Sequence, residues 1–213
     1  MSDLFDAKTL GEFKKEHLIK IIMELQKEKS TLIEQQNSIS AIKDRVTELE
    51  RSHFLYMQYG RRESIEIVGI PQQVEQESLE EEVLKIYEEA KVQIDGRKLS
   101  SMDISACHRV GKKGATIVRF VNRKFAKEGL YKGKNLKGTK LYNGSAIYIN
   151  NSFCYEYKQY GWVIRTLKKN GLISGFKVKN GVHHIKLLSS DAFVEISHRS
   201  DFSKYNLDVS SFF

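Results

Sequence analysis

Two cysteines, one proline and one tryptophan are all that 213 residues contain of those three types. Cys107 and Cys154 lie far apart with no CxxC spacing, which excludes a disulfide framework and a zinc site. Reduced thiols in a cytoplasmic, or also nuclear, protein are expected. The single proline, Pro71, leaves the first 70 residues without the strongest helix breaker. Long apolar runs are missing. The most apolar early stretch, LIKIIMEL, is short and broken by Lys20, and no signal peptide opens the chain, so no membrane insertion is expected. Catalytic signatures are missing as well: no P-loop, no HExxH, no GxSxG and no carboxylate cluster suited to two metals. Neither an enzyme nor a cofactor or metal is expected.

What is present is charge, unevenly placed. The net formal charge is +8. Residues 101–213 hold 20 basic and 7 acidic side chains, while residues 58–100 hold 6 and 10. A positive excess of that size in one half of a chain points to a polyanionic partner, nucleic acid first.

Residues 9–57 contain one glycine and a seven-residue apolar period. Leu18, Leu25, Leu32, Ile39 and Val46 fill position a; Ile21, Ile42 and Leu49 fill d, with Glu28 and Gln35 as polar d positions. Thr9 and Glu12 are spaced as a capping box. A stripe of a and d alone is the coiled-coil pattern, narrower than the apolar face of a globular helix. The Leu18/Ile21 and Ile39/Ile42 layers favour more than two strands, whereas Val46/Leu49 favours two. Arg45 at g and Glu50 at the next e can pair between helices. A parallel trimer is expected, with a dimer as the alternative.

The next block, 62–150, reads β-α-β-β-α-β. SIEIVGIP (64–71) is a strand stopped by Pro71. Ser78 and Glu81 are spaced as a second capping box, before a helix with Leu79, Val83, Ile86, Tyr87 and Ala90 on one face. Strands are expected at MDISACHRV (102–110), ATIVRF (115–120) and SAIYIN (145–150), with a helix capped by Asn122 before the last. Residues 151–200 form a small basic α+β domain. A helix carrying Phe153, Tyr157, Tyr160, Val163, Ile164 and Leu167 stops at Asn170-Gly171. A hairpin then turns at Asn180-Gly181, with Lys177, Lys179, His184 and Lys186 on one side and Phe176, Val178, His183, Ile185 on the other. A last helix is expected over 191–200 and a flexible tail over 201–213. Trp162 is read as core, or as a ring that stacks a base.

The strands of the middle block carry part of a known signature. The third-strand pattern of RNA-recognition-motif domains, laid on KGATIVRF (113–120), matches at Lys113, Gly114, Val118 and Phe120. Its two stacking positions are Ala115 and Ile117, and the corresponding first-strand position is Glu66. Period-2 alternation puts Ala115, Ile117 and Arg119 on one face, without a ring among them. A base-stacking sheet is not available, so charge on phosphates must carry any binding. Arg109, Lys112, Lys113, Arg119, Arg123, Lys124, Lys127, Lys132, Lys134, Lys137 and Lys140 supply it, and Glu66 is expected to orient Arg119.

This order of parts resembles the RNA-binding proteins of the first open reading frame of LINE retrotransposons, and the compact family that includes the baculovirus few-polyhedra protein. RRESIEIVGIP, ISACHRVGKKGATIVRFVNR, IYINN and IRTLKKNGLISGFKVKNGVHHIK carry the resemblance. It implies a homotrimeric, largely sequence-independent single-stranded RNA or DNA binder with nucleic-acid chaperone activity. The strand would lie between the two globular parts. Arg61, Arg62, Arg165, Lys168, Lys169, Lys177, Lys179 and Lys186 are the further candidates there. Lys168 and Lys169 serve equally well to satisfy the end of a helix. The alternative is an interaction scaffold, in which the coiled coil and the basic half each hold a protein partner.

Overall fold

The computed structural model describes residues 7–76, 78–111, 114–139, 141–142 and 145–212, with side chains from Lys14 onward. The chain combines helices with antiparallel sheets and opens on a long helix, α1 (Ala7–Tyr59), so it is an α+β protein. It divides into two compact units within α1, Met1–Glu50 and Arg51–Phe213. The capping box expected at Thr9 and Glu12 lies outside the described side chains.

In the first unit the described residues form helix alone. The a and d side chains Leu18, Ile21, Leu25, Leu32, Ile39, Ile42, Val46 and Leu49 are all exposed, from 38% at Ile21 to 66% at Ile39. Spacings of three and four place them along one side of the helix. Among the described residues nothing covers them, and this unit has no apolar core of its own.

The second unit contains β1 (Ser64–Val68), α2 (Leu79–Glu89), a small hairpin of β2 (Gln93–Ile94) and β3 (Arg97–Lys98), β4 (Ile104–Val110), β5 (Ala115–Phe120), α3 (Arg123–Lys132) and β6 (Tyr148–Asn151). The four longer strands form one antiparallel sheet in the order β4-β5-β1-β6. Alternation decides which side is covered. Ile65, Ile67, Thr116, Val118 and Phe120 point inward and are buried; Ser64, Glu66, Ala115, Ile117 and Arg119 point outward. Helices α2 and α3 cover the inner side with Leu79, Val83, Ile86, Tyr87, Phe125 and Ala126. Ser78 precedes α2 as expected but makes no side-chain cap bond, whereas the Asn122 side chain accepts from the Lys124 N–H at 2.9 Å.

Gly129 lets the two helices approach. A Cβ there would overlap the buried Tyr87 hydroxyl and lie 2.7 Å from its Cζ. That hydroxyl donates to the Phe125 carbonyl at 3.2 Å. Gly129→Ala gains helix propensity of about 1 kcal/mol, yet the ring it strikes is 1% exposed and has no room to yield. The expected result is a net loss of about 1–3 kcal/mol, read as a lower midpoint in thermal unfolding. An unchanged or raised midpoint would contradict the close approach.

The rest of the second unit is built from α4 (Tyr155–Lys169), β7 (Ile173–Lys179), β8 (Val182–Leu187), β9 (Phe193–Ile196) and α5 (Ser200–Lys204). Hairpin β7-β8 has the register set by its two-residue turn, with Lys179 opposite Val182, Lys177 opposite His184 and a bulge near Ile173. Asn180 and Gly181 both take positive φ, 53° and 78°, as such a turn requires.

Three expectations are corrected here. Residues 193–196 are a strand, not part of a helix: FVEI pairs with β8, Val194 opposite Ile185 and Ile196 opposite His183, closing an edge that would otherwise be open. Residues 201–212 are not a loose tail, because Phe202, Leu207 and Val209 are buried in the same core as Tyr157, Ile164 and Ile185. Trp162 is not core; it is 52% exposed. The last turns of α1 contribute Phe54 and Leu55 to this core.

Candidate functional site

Two backbone junctions position the basic side chains. The first is the turn from α1 into β1. Gln58, 2% exposed, donates to the Ser152 carbonyl and accepts from the Cys154 N–H, both at 3.1 Å. This fixes the end of α1 against the entry to α4. Arg61 reaches the Ser152 hydroxyl at 3.5 Å. Arg62 donates through Nε to the Asn180 carbonyl at 3.1 Å, and its guanidinium lies 4.6 Å over the Tyr59 ring. The tip of the β7-β8 hairpin, with Lys179 beside it, is therefore held next to Arg62.

The second junction is the β1–β5 pairing, which sets Ser64 opposite Arg119. Arg119 pairs with Glu63 at 3.2 Å, not with Glu66 as expected. Glu66 instead holds Lys158 of α4 at 2.7 Å. Glu66 shares the outer face with Arg119 but sits opposite Ile117, two residues along β1 from the Ser64–Arg119 pair, whereas Glu63 directly precedes Ser64. Arg61, Arg62, Arg119, Lys158 and Lys179 are thus gathered around the start of β1. Both carboxylates that face them belong to partly exposed pairs, which contribute little to stability.

The other candidates are distributed as follows. Arg109 is committed elsewhere: its guanidinium donates to the carbonyls of Ile70 (3.4 Å), Gly114 (3.0 Å), Pro71 (2.5 Å) and Val74 (3.2 Å). It ties the loop after β1 to the β4-β5 turn and is not offered to a ligand. Arg123, Lys124, Lys127 and Lys132 belong to α3, and Lys134 and Lys137 to the turn that follows it. That helix covers the inner side of the sheet, so these six are not beside Arg119. Lys124 approaches Asp95 at 3.9 Å, and Lys134 lies 4.4 Å over the Tyr131 ring. Lys112, Lys113 and Lys140 lie outside the described residues.

On the C-terminal part, Lys168 donates to the Ser174 carbonyl of β7 at 2.6 Å, which ties the end of α4 to that strand. Lys169 and Lys179 are exposed. Lys177 sits 3.9 Å over the Phe193 ring, and Lys186 pairs with Asp191 at 2.8 Å. Arg165 is exposed on α4, near the buried His183. His183 Nε2 bonds the Tyr157 carbonyl at 2.8 Å while Nδ1 has no partner. Burial therefore holds its pKa down at about 4. Burial likewise raises the Cys107 thiol to about 11, so it is no nucleophile at neutral pH.

Sequence reasoning missed Lys158, whose only signal is its place four residues before Trp162 on one helix face. It also missed Arg51, which bonds Asp201 with both nitrogens at 2.8 and 2.7 Å; that contact joins residues 150 positions apart and leaves no local trace. Among the described residues no His, Cys, Asp and Glu group could hold a metal ion, and no helix is long and apolar enough to cross a membrane. No family model and no curated protein matches the chain.

Proposed function

We propose that the protein is an oligomeric, largely sequence-independent binder of single-stranded RNA or DNA that acts as a nucleic-acid chaperone. The observation that carries this reading is the set of Arg61, Arg62, Arg119, Lys158 and Lys179 around the start of β1, beside a sheet face that has no ring at its central positions. Guanidinium groups match phosphate oxygens with two parallel hydrogen bonds. Phosphates can replace the Glu63 and Glu66 carboxylates on Arg119 and Lys158. The βαββαβ order and the β4-β5-β1-β6 sheet support an RNA-recognition-motif-like domain whose stacking positions hold Glu66, Ala115 and Ile117. The uncovered a and d residues of α1 support a parallel coiled coil, a trimer first, that multiplies a modest grip by avidity.

The test is a salt series with fluorescently labelled single strands. With about four phosphates engaged per subunit, the logarithm of affinity should fall against log salt with a slope of about −3 or steeper. Oligonucleotides of different sequence should differ only a few-fold. A slope near zero, or strong selection of one motif, rules the reading out.

A further inference from the structure

The stacking positions Glu66, Ala115 and Ile117 of the sheet hold no ring, and the exposed Tyr148 lies on its edge strand β6, opposite Val68; α4 presents a ring of its own. Trp162 is the chain's single tryptophan and is 52% exposed, on a helix whose opposite face (Tyr157, Tyr160, Val163, Ile164, Leu167) is buried. Phe212 packs against it with ring centroids 5.3 Å apart and planes at 77°, so the indole is held in place before any ligand arrives. Lys158, Arg165 and Lys169 stand four residues before, three after and seven after it, on the same helix face. Lys158 reaches Glu66 on the outer side of the sheet, which makes this face continuous with the basic cluster at β1. A flat apolar ring set among cations is complementary to a flat base joined to phosphates.

We propose that Trp162 is a base-stacking platform for single-stranded nucleic acid, with Lys158, Arg165 and Lys169 holding the phosphates on either side. This rests on the single-strand reading above. The ring takes any base, because every base has a π face. It supplies a non-ionic contact that the phosphate cluster does not.

The single indole is its own reporter. Intrinsic fluorescence is followed while the full-length protein is titrated with oligoadenylate, and in parallel with inorganic polyphosphate, which has the charge and no bases. Binding is read separately from the anisotropy of a labelled oligoadenylate. The expected result is quenching by oligoadenylate that follows binding, with little quenching by polyphosphate. Trp162→Ala should weaken oligoadenylate binding about fivefold or more, by the same factor at every salt concentration. It should leave polyphosphate binding unchanged, and Trp162→Phe should restore most of the loss. Oligoadenylate that binds without altering the fluorescence overturns the platform and leaves the phosphate reading standing. Equal quenching by polyphosphate also overturns it. Failure of oligoadenylate to bind at low salt overturns both, and leaves this face to a protein partner.

Discussion

Replacing Ile39 and Ile42 together with aspartate should turn the proposed oligomer into a monomer in light scattering and weaken the proposed single-strand binding about 10²–10⁴-fold. The two residues are 66% and 63% exposed along the stripe of α1. Each buried aliphatic side chain contributes about 1.5–3 kcal/mol, so eight such positions per helix would suffice for strong association. Charges placed in adjacent a and d layers reverse that term and add the cost of burying unpaired carboxylates. The second unit has its own cores and should keep its thermal transition, which separates lost assembly from lost folding. On the proposed reading the affinity loss follows, because a few phosphate contacts per subunit are weak alone and act in concert only when tethered. An oligomer that survives the double substitution would remove α1 as the assembly element. A monomer that binds as tightly as the parent would remove avidity from the proposal.

Asp201→Ala should be the most damaging single substitution in the second unit, by about 3–5 kcal/mol. The Asp201 side chain is 5% exposed and its Arg51 partner 18%. The carboxylate also accepts from the Ser197 and His198 N–H groups, both at 2.9 Å. Removing it strips the counter-charge from a largely buried guanidinium, which keeps its bond to the Ser197 hydroxyl, and leaves the Ser197 and His198 N–H groups without this acceptor. Burial alone would raise the Asp201 pKa; the bonds from Arg51, Ser197 and His198 outweigh it and hold the carboxyl below the ordinary range. A depressed carboxyl contributes stability above its unfolded pKa and loses it as pH falls through the folded one. His183 acts in the same sense. With its folded pKa down at about 4 against an ordinary 6.5, the unfolded chain binds the extra proton first, so stability falls as pH drops from 6.5 to 4. The unfolding midpoint should therefore decline steadily on acidification through that window. His183→Gln should flatten the decline there, while the Asp201 contribution at lower pH persists. A midpoint constant between pH 7 and 4 in the parent protein would contradict the His183 assignment.

Local patterns carried most of the second unit. The Asn180-Gly181 turn fixed a register, Asn122 marked a helix start, and the alternation in ATIVRF assigned each side chain to a face. The failures share a cause, which is competition from distant partners. FVEI has the composition of either element, and the free edge of β8 decided for a strand. Trp162 looked like core because large rings usually are, yet its helix position lies on the side away from Tyr157 and Ile164. The Asp95-Gly96 turn of the small hairpin is legible in the same way as Asn180-Gly181, from residue types that accept positive φ. Among the site residues, the clustering of Arg61, Arg62 and Lys179 was foreseeable only in outline. Arg109 shows the limit: an arginine in a basic run reads as a ligand contact until four carbonyls are found around it.

The final turns of α1 do double duty. Arg51, Phe54, Leu55 and Gln58 lie in the heptad-bearing helix by sequence, but they clasp Asp201, the C-terminal core and the start of α4. A fragment cut at the end of the helix, from Gly60 onward, would be missing its own keystone. One beginning a few residues before Arg51 keeps it, and is the smallest piece in which the globular half can be studied by itself.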